Sequence, residues 1–337
     1  MKLRPLGRTG VRVSRLGLGT MVLGAWGNTD QDECVSLIRR AVDRGINLVD
    51  TADVYAFGES EEIVGRAIAP IRDEIVLATK FNNQMGPNDN HRGNTRWWST
   101  RAVEASLRRL GTDRIDLYQV HRPDPDTDIA ETLGALTDLQ VQGKIVDFGL
   151  STFPAEEIVE AHWAAERTGS SRPCTEQPPY SILTRGIERD VLPTCRRLGM
   201  GVITWSPLAG GWLTGKYNDG TAPAESRAST NPDHFDFDND DKLRISRALA
   251  DLAGEAGVSL THLSLAWACE HPAVSSVLIG PRTPAQLDDL LGAADLELDG
   301  STLDRIDELV PPGRSVNPAD AGWTPPGLEV GERRRAR

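Results

Sequence analysis

An amphipathic helix, a glycine and then a short apolar run recur along this chain, and that period is the strongest constraint on its fold. The segment DECVSLIRRAVDRG sets Cys34, Leu37, Ile38, Ala41 and Val42 on one helical face. That is the i, i+3, i+4, i+7, i+8 spacing of a helix with one buried side. Gly45 suits the left-handed position that ends a helix, and INLVD follows it. The pattern returns at STRAVEASLRRLG before IDLYQVH, at ETLGALTDLQVQG before IVDFGLS, and at DVLPTCRRLG before GVITWS; AIAPIRD plays a similar part before EIVLATK. The apolar runs are continuous rather than alternating. Strands of that kind are buried on both faces, which places them in a parallel sheet covered by helices. Strand–helix alternation over about 250 residues predicts a (β/α)8 barrel, an α/β fold, with an open doubly wound sheet as the second choice. Six strands are clear and SSVLIG (275–280) adds another, but the eighth has no plain counterpart.

Two regions escape the period. Residues 1–15 read as a hairpin turning at GRTG, placed to plug one barrel end, and 217–240 reads as a long, polar, mobile loop. The expected organisation is one barrel domain over 1–310 and a surface or disordered tail over 311–337, ending in a solvated ERRRAR. A net charge of −12 argues against nucleic acid or an anionic membrane as a partner. The longest apolar runs stay under about ten residues, too short to cross a bilayer. The start, MKLRPLGRTG, lacks a signal-peptide core. Cys34, Cys174, Cys195 and Cys269 lie far apart with no CxxC, so buried thiols in a reducing cytoplasm are expected, without a metal site.

Polar residues close successive apolar strands. Asp50 ends INLVD, Lys80 ends IVLATK and His121 ends IDLYQVH, while Tyr55 follows Asp50 by five residues. In a parallel barrel all strand C-terminal ends open on one face, so these four belong side by side. A buried Asp–Lys pair can be mere architecture and a strand-end histidine can cap a loop, yet four at equivalent ends favour one site. A tyrosine with a pKa of about 10 is a poor acid at neutral pH. An ammonium beside it stabilises the phenolate. Asp50 would hold Lys80, and His121 can donate a hydrogen bond to a carbonyl oxygen. Such a set protonates a developing alkoxide. It supplies no electrons, so it requires a hydride donor, for which nicotinamide is the natural choice.

Gly17, Gly19 and Gly24 do not spell GxGxxG, so a Rossmann unit is not expected. Ser151 and Gln177 end strands and can bond a carboxamide, and Trp205 offers a flat face to a nicotinamide ring. Beyond it, Gly210, Gly211 and Gly215 free backbone amides for a pyrophosphate and Lys216 adds charge. In IGPRTPAQLDDLLGAAD (279–295), Gly280 closes the strand and Pro284 opens a helix whose N-terminus suits an anion. Arg282 there can pair with a 2′-phosphate, and Gln286 can reach the adenosine end. The substrate pocket is expected to draw on Trp26, Phe57, Phe81, Trp97, Trp98 and Trp212, framed by 82–98 and 217–240. His91, Arg92, Arg96 and Arg122 add positive charge, which would suit an anionic or nucleotide-linked substrate.

The run DTADVYAFGESEEIVGRAI (50–68), followed in order by LATK, DLYQVHRPD and GLS, resembles the aldo-keto reductase superfamily. LGRTGVRVSRLGLGT and WSPLAGGWLTGKY are similar to its aryl-alcohol-dehydrogenase-like and potassium-channel β-subunit-like branches. The resemblance spans residues 1–310. It implies a barrel without a Rossmann domain, NADPH as cofactor and a small-molecule carbonyl substrate. It makes Tyr55 the general acid, tuned by Lys80, with Asp50 paired to Lys80 and His121 orienting the carbonyl. It places the cofactor against Ser151, Gln177, Trp205, Ser206 and Leu208, and the 2′-phosphate near Arg282. Asp289 stands where the family has Glu or Asp, whereas Leu290 replaces a usual Asn and removes an adenine contact. Two other roles fit the same resemblance, an NADPH-binding redox sensor or regulatory subunit and a sugar-nucleotide ketoreductase.

Overall fold

In the computed structural model, which describes residues 1–224, 226–230 and 235–325, the chain opens with an antiparallel hairpin of β1 (Leu3–Pro5) and β2 (Arg12–Ser14). Eight parallel strands then close into a barrel: β3 (Leu16–Gly19), β4 (Leu48–Asp50), β5 (Val76–Phe81), β6 (Ile115–Val120), β7 (Ile145–Leu150), β8 (Thr175–Glu176), β9 (Gly201–Thr204) and β10 (Val274–Ile279). They neighbour one another in chain order, and β10 pairs with β3 to complete the ring. Outside the ring lie α1 (Gln31–Asp43), α2 (Glu59–Ile68), α3 (Arg96–Leu110), α4 (Ile129–Val141), α5 (Ala155–Thr168), α6 (Val191–Leu198), α7 (Arg227–Thr230), α8 (Asp240–Glu255), α9 (Leu260–Glu270), α10 (Pro284–Leu291) and α11 (Gly300–Leu309).

The predicted helical face of α1 is the buried one. Cys34, Leu37, Ile38 and Ala41 have no exposed surface and Val42 packs partly against the same core. Asp30 caps the helix by accepting from the Asp32 and Glu33 amides at 3.1 and 3.0 Å. Gly45 follows with φ of 95°, a conformation that favours glycine. Two of the eight strands carry little apolar signal, and both are short. In β3, a Cβ at Gly17 would sit 2.9 Å from the Leu278 side chain, so the position needs glycine and carries no apolar signal. In β8, two polar letters pair with Leu150 on one side and Gly201 on the other.

Side chains alternate between the barrel interior and the helix layer with a period of two. Leu48, Ala78, Leu117, Ile203 and Leu278 meet inside the barrel, joined from below by Leu6 and Val13 of the hairpin. Ser275 Oγ and Arg4 Nη1 bind the hairpin to the start of β10, through Pro5 O and Val274 O, each at 2.9 Å. The hairpin therefore floors the barrel. Two residues further along β4, β5 and β6 the interior becomes polar, with Asp50, Lys80 and Gln119.

The stretch 217–240 is better anchored than its polar composition predicts. It contains α7, and Phe235 and Phe237 each stack on Trp212 with centroids 5.9 Å apart. Glu225 and 231–234 lie outside the described residues, as does the ERRRAR end. Residues 311–325 run across the same face. Val316 N donates to Leu183 O at 2.9 Å, and Asn317 Nδ2 donates to Asp236 Oδ2 at 2.7 Å. Buried Lys242 joins the two segments by pairing with Asp236 and Asp320, both at 2.7 Å.

Helix α2 holds the loop that carries Tyr55, and Gly65 lets it approach α3. An added Cβ there would lie 2.6 Å from Leu110 O and 2.9 Å from Arg109 O, both rigid backbone. Alanine favours a helix by about 1 kcal/mol over glycine, but forced overpacking costs about 1–3 kcal/mol. Gly65→Ala is therefore expected to lower the urea midpoint of unfolding. A raised midpoint would mean that the helices part freely.

Candidate active site

Asp50 is the last residue of β4, and its carboxylate is shared among three side chains from other strands and a strand end. Lys80 Nζ donates to Oδ1 at 2.5 Å, while Gln119 Nε2 and Gln177 Nε2 donate to Oδ2 at 3.0 and 2.8 Å. Lys80 Nζ also donates to Thr51 O at 2.8 Å and Tyr55 Oη at 3.3 Å. Both charged groups of the pair are buried. Burial pulls the Lys80 ammonium down, but Asp50 and then Tyr55 outweigh it and hold it above the ordinary lysine value.

His121, one residue past β6, faces Tyr55 edge-on with ring centroids 5.8 Å apart. Burial, then the charges of Lys80 and Arg122, push the imidazole well below its usual value, so it is neutral at pH 7. The Asn83 amide nitrogen stands 2.9 Å from Nδ1. With that nitrogen donating, Nδ1 accepts and the ring proton sits on Nε2.

The loop bearing Tyr55 is strained. Ala56 and Phe57 have φ of 47° and 54°, left-handed values that side chains other than glycine rarely adopt. The segment is pinned from behind. Asp53 N donates to Lys80 O at 3.1 Å. Buried Glu61 accepts from Thr79 Oγ1 at 2.6 Å and from Arg109 Nε at 2.7 Å.

The aromatic residues divide. Trp26 lies 6.2 Å from Tyr55 and 6.1 Å from Phe57, centroid to centroid, and both Trp26 and Phe57 are exposed at the mouth. Trp97 is exposed with Arg101 stacked on it at 3.9 Å. Phe81, Trp98 and Trp212 do not line a pocket as expected. Phe81 is buried outside the barrel wall, stacked on Tyr118 at 4.8 Å, because it follows inward-pointing Lys80 and must face the other way. Trp98 is buried on α3 under His91, and Trp212 is the platform for Phe235 and Phe237.

Residues expected to hold a cofactor form two groups. Ser151 Oγ and Trp205 Nε1 both donate to Gln177 O, at 2.9 and 3.2 Å, beside the Asp50 cluster. The Gln177 amide nitrogen is committed to Asp50 and Gln119, leaving its Oε1 to accept from a ligand. The turn after β9 has left-handed backbone at Ser206, Ala209, Gly210 and Gly211, and Leu208 packs its side chain on the core. Lys216 folds back so that its Nζ would lie 2.6 Å from a Cβ at Gly211. Burial, then Arg282 and Arg227, lower the Lys216 ammonium; burial and Arg282 also lower Arg227. Lys216, Arg227 and Arg282 therefore gather on one side of the mouth. Among the described residues no carboxylate pairs with Lys216 or Arg227. Gly280 follows β10 beside Val22 and Gly19. Arg282 N donates to Gln286 Oε1 at 2.8 Å, and Asp289 turns to His262, 3.2 Å away.

Gln119, Asn83 and Arg227 escaped the reading of the sequence. Gln119 had a signal, a polar letter two places after an inward-facing leucine in an apolar strand. Asn83 had a weaker one, as an early polar residue past β5. Arg227 had none inside a uniformly polar stretch.

A closed parallel barrel with titratable groups clustered at its C-terminal mouth defines a barrel enzyme. The model of the Aldo/keto reductase family matches residues 15–311, and the chain belongs to that family. It is 38% identical over 322 residues to a probable voltage-gated potassium channel subunit beta of Arabidopsis thaliana, covering 92% of this chain and 97% of the relative. It is 38% identical to the uncharacterized oxidoreductase YrpG of Bacillus subtilis (strain 168), covering 94% and 98%. It is 36% identical to the aldo-keto reductase YhdN of the same organism, covering 91% and 92%. The protein is an NAD(P)H-dependent oxidoreductase. Among the described residues no helix is long and apolar enough to cross a membrane.

Glu176 in β8 provides a test of the site's burial. Its Oε1 accepts from Phe153 N at 3.2 Å, and burial pushes its carboxyl up to about 8 from 4.5. Between those values the folded chain holds a proton that the unfolded chain releases, so this group costs stability as pH rises. Glu176→Gln removes the cost. Its melting temperature relative to the natural chain is expected to climb from about pH 5 to about pH 8.5. A pH-independent difference would contradict the burial.

Proposed function

We propose that this protein reduces aldehydes or ketones to alcohols with NADPH, Tyr55 supplying the proton. The observation that carries the reading is the position of Lys80 Nζ, which donates at once to Asp50 and to Tyr55 Oη beside the neutral imidazole of His121. NADPH is favoured by the gathering of Lys216, Arg227 and Arg282 on one side of the mouth, where cationic side chains suit a phosphate. The flat face of Trp205 and the acceptor of Gln177 suit a nicotinamide and its carboxamide.

When bound, the nicotinamide supplies the hydride. The chain's own residues do the rest. His121 Nε2–H donates to the substrate carbonyl oxygen and fixes its direction. Tyr55 gives its phenolic proton to that oxygen as negative charge grows there. The Lys80 ammonium stabilises the phenolate left behind. Asp50 keeps Lys80 in place, itself held by Gln119 and Gln177. Trp26 and Phe57 rim the entrance and favour an apolar or aromatic substrate. The relative named as a probable channel subunit supports a second reading, in which bound NADPH is sensed rather than consumed.

Tyr55→Phe is expected to lower kcat by about a hundredfold to ten-thousandfold, the usual worth of a positioned acid, while NADPH still binds. Undiminished turnover would remove Tyr55 from the chemistry. No turnover by the natural chain over a broad carbonyl panel would favour the sensor. Arg282→Ala should raise the Kd for NADPH far more than that for NADH, measured by quenching of tryptophan fluorescence. Equal effects would move the 2′-phosphate elsewhere.

A further inference from the structure

Arg122 follows His121 and takes no part in the proposed proton delivery. Its side chain is half-buried at the mouth. Nη1 donates to His121 O at 2.6 Å, and the guanidinium lies over Trp205, 6.0 Å from the ring centroid. Burial disfavours its charge, and Tyr55 and Glu176 face it. Arginine does not give up its proton in a protein. Glu176 is too neutral at pH 7 to compensate it, with its carboxyl pushed up to about 8.

Four other arginines with little exposed surface are treated differently. Arg15, Arg72, Arg109 and Arg185 hold carboxylates at 2.8, 2.8, 2.7 and 3.0 Å. Among the described residues no carboxylate pairs with Arg122. A part-buried cation without a matching anion is costly. This one stands between the residue expected to orient the carbonyl and the ring expected to receive the nicotinamide, with aromatic Trp26, Tyr55 and Phe57 across the mouth. Nε and Nη2 remain as a fork matched to a carboxylate.

We propose that Arg122 determines substrate specificity, and that the site selects aryl or similarly apolar carbonyl compounds carrying a carboxylate. The proposal rests on the reductase reading above. The cation anchors the carboxylate and the aromatic rim covers the body of the substrate, presenting the carbonyl to Tyr55 and His121.

The test compares 3- and 4-carboxybenzaldehyde with benzaldehyde as substrates of the full chain with NADPH. The ratio of kcat/KM, carboxylated over neutral, is expected to exceed about ten for at least one isomer, and to fall at least about tenfold in Arg122→Gln, since a site built for a polar group discriminates by such factors. Arg122→Lys should keep part of it. A ratio near one in the natural chain, or an unchanged ratio in Arg122→Gln, would overturn the proposal. Binding of 4-(hydroxymethyl)benzoate to the NADP⁺-loaded protein, followed by tryptophan fluorescence, separates the two readings. If no aldehyde is reduced but this carboxylate binds, and binds at least about tenfold more weakly to Arg122→Gln, the reductase reading fails and the anion site stands. If it binds both proteins alike, or neither, the anion site falls.

Discussion

The buried ion pair of Asp50 and Lys80 is the interaction on which the rest of the site depends. An ammonium inside a barrel is costly unless its charge is matched and its donors are used. Here Lys80 meets one carboxylate oxygen, one backbone carbonyl and one phenol. The other carboxylate oxygen is filled by Gln119 and Gln177. The pair thus ties β4 to β5, β6 and the end of β8, and sets one polar layer directly above the apolar floor of Leu48, Ala78 and Leu117. Strand alternation makes this layering possible: two residues along β4, β5 and β6 convert the apolar interior into the polar layer of the candidate site.

Charge is sorted around that layer. The chain as a whole carries −12, yet the mouth collects Lys80, Arg122, Lys216, Arg227 and Arg282. Carboxyl groups lie behind, where Glu61 is paired with Arg109 and Asp53 is pushed well above its ordinary value by burial and by Glu61. The same acidic network backs the strained loop that carries Tyr55. An acidic protein with a cationic mouth can take anionic ligands at one place without a general affinity for polyanions.

Much of this was legible. Continuous apolar strands ending in Asp50, Lys80 and His121 placed three groups on one face, because a parallel barrel leaves no other arrangement. The helix–glycine punctuation located most of the strands. What stayed hidden had a physical cause. β8 is two polar residues long and β3 is half glycine, so neither reads as a hydrophobic run. Aromatic letters near strand ends do not state a direction. Phe81 could have been read correctly, since it adjoins inward-facing Lys80, but Trp98 and Trp212 depend on tertiary packing against His91, Phe235 and Phe237. Gln119 and Asn83 act through partners distant in sequence, so the polar letter of Gln119 in an apolar strand marks an interior position but not the carboxylate it serves.

Single-turnover transfer from NADPH dideuterated at C4 to an aromatic aldehyde, in the natural chain and in Lys80→Met, tests the central claim most directly. The label is expected on the carbinol carbon of the alcohol, with transfer slowed by about a thousandfold in the variant, within the range for loss of positioned acid–base catalysis. Label absent from that carbon, or transfer at the full rate without the Lys80 ammonium, would contradict the role given to the buried pair.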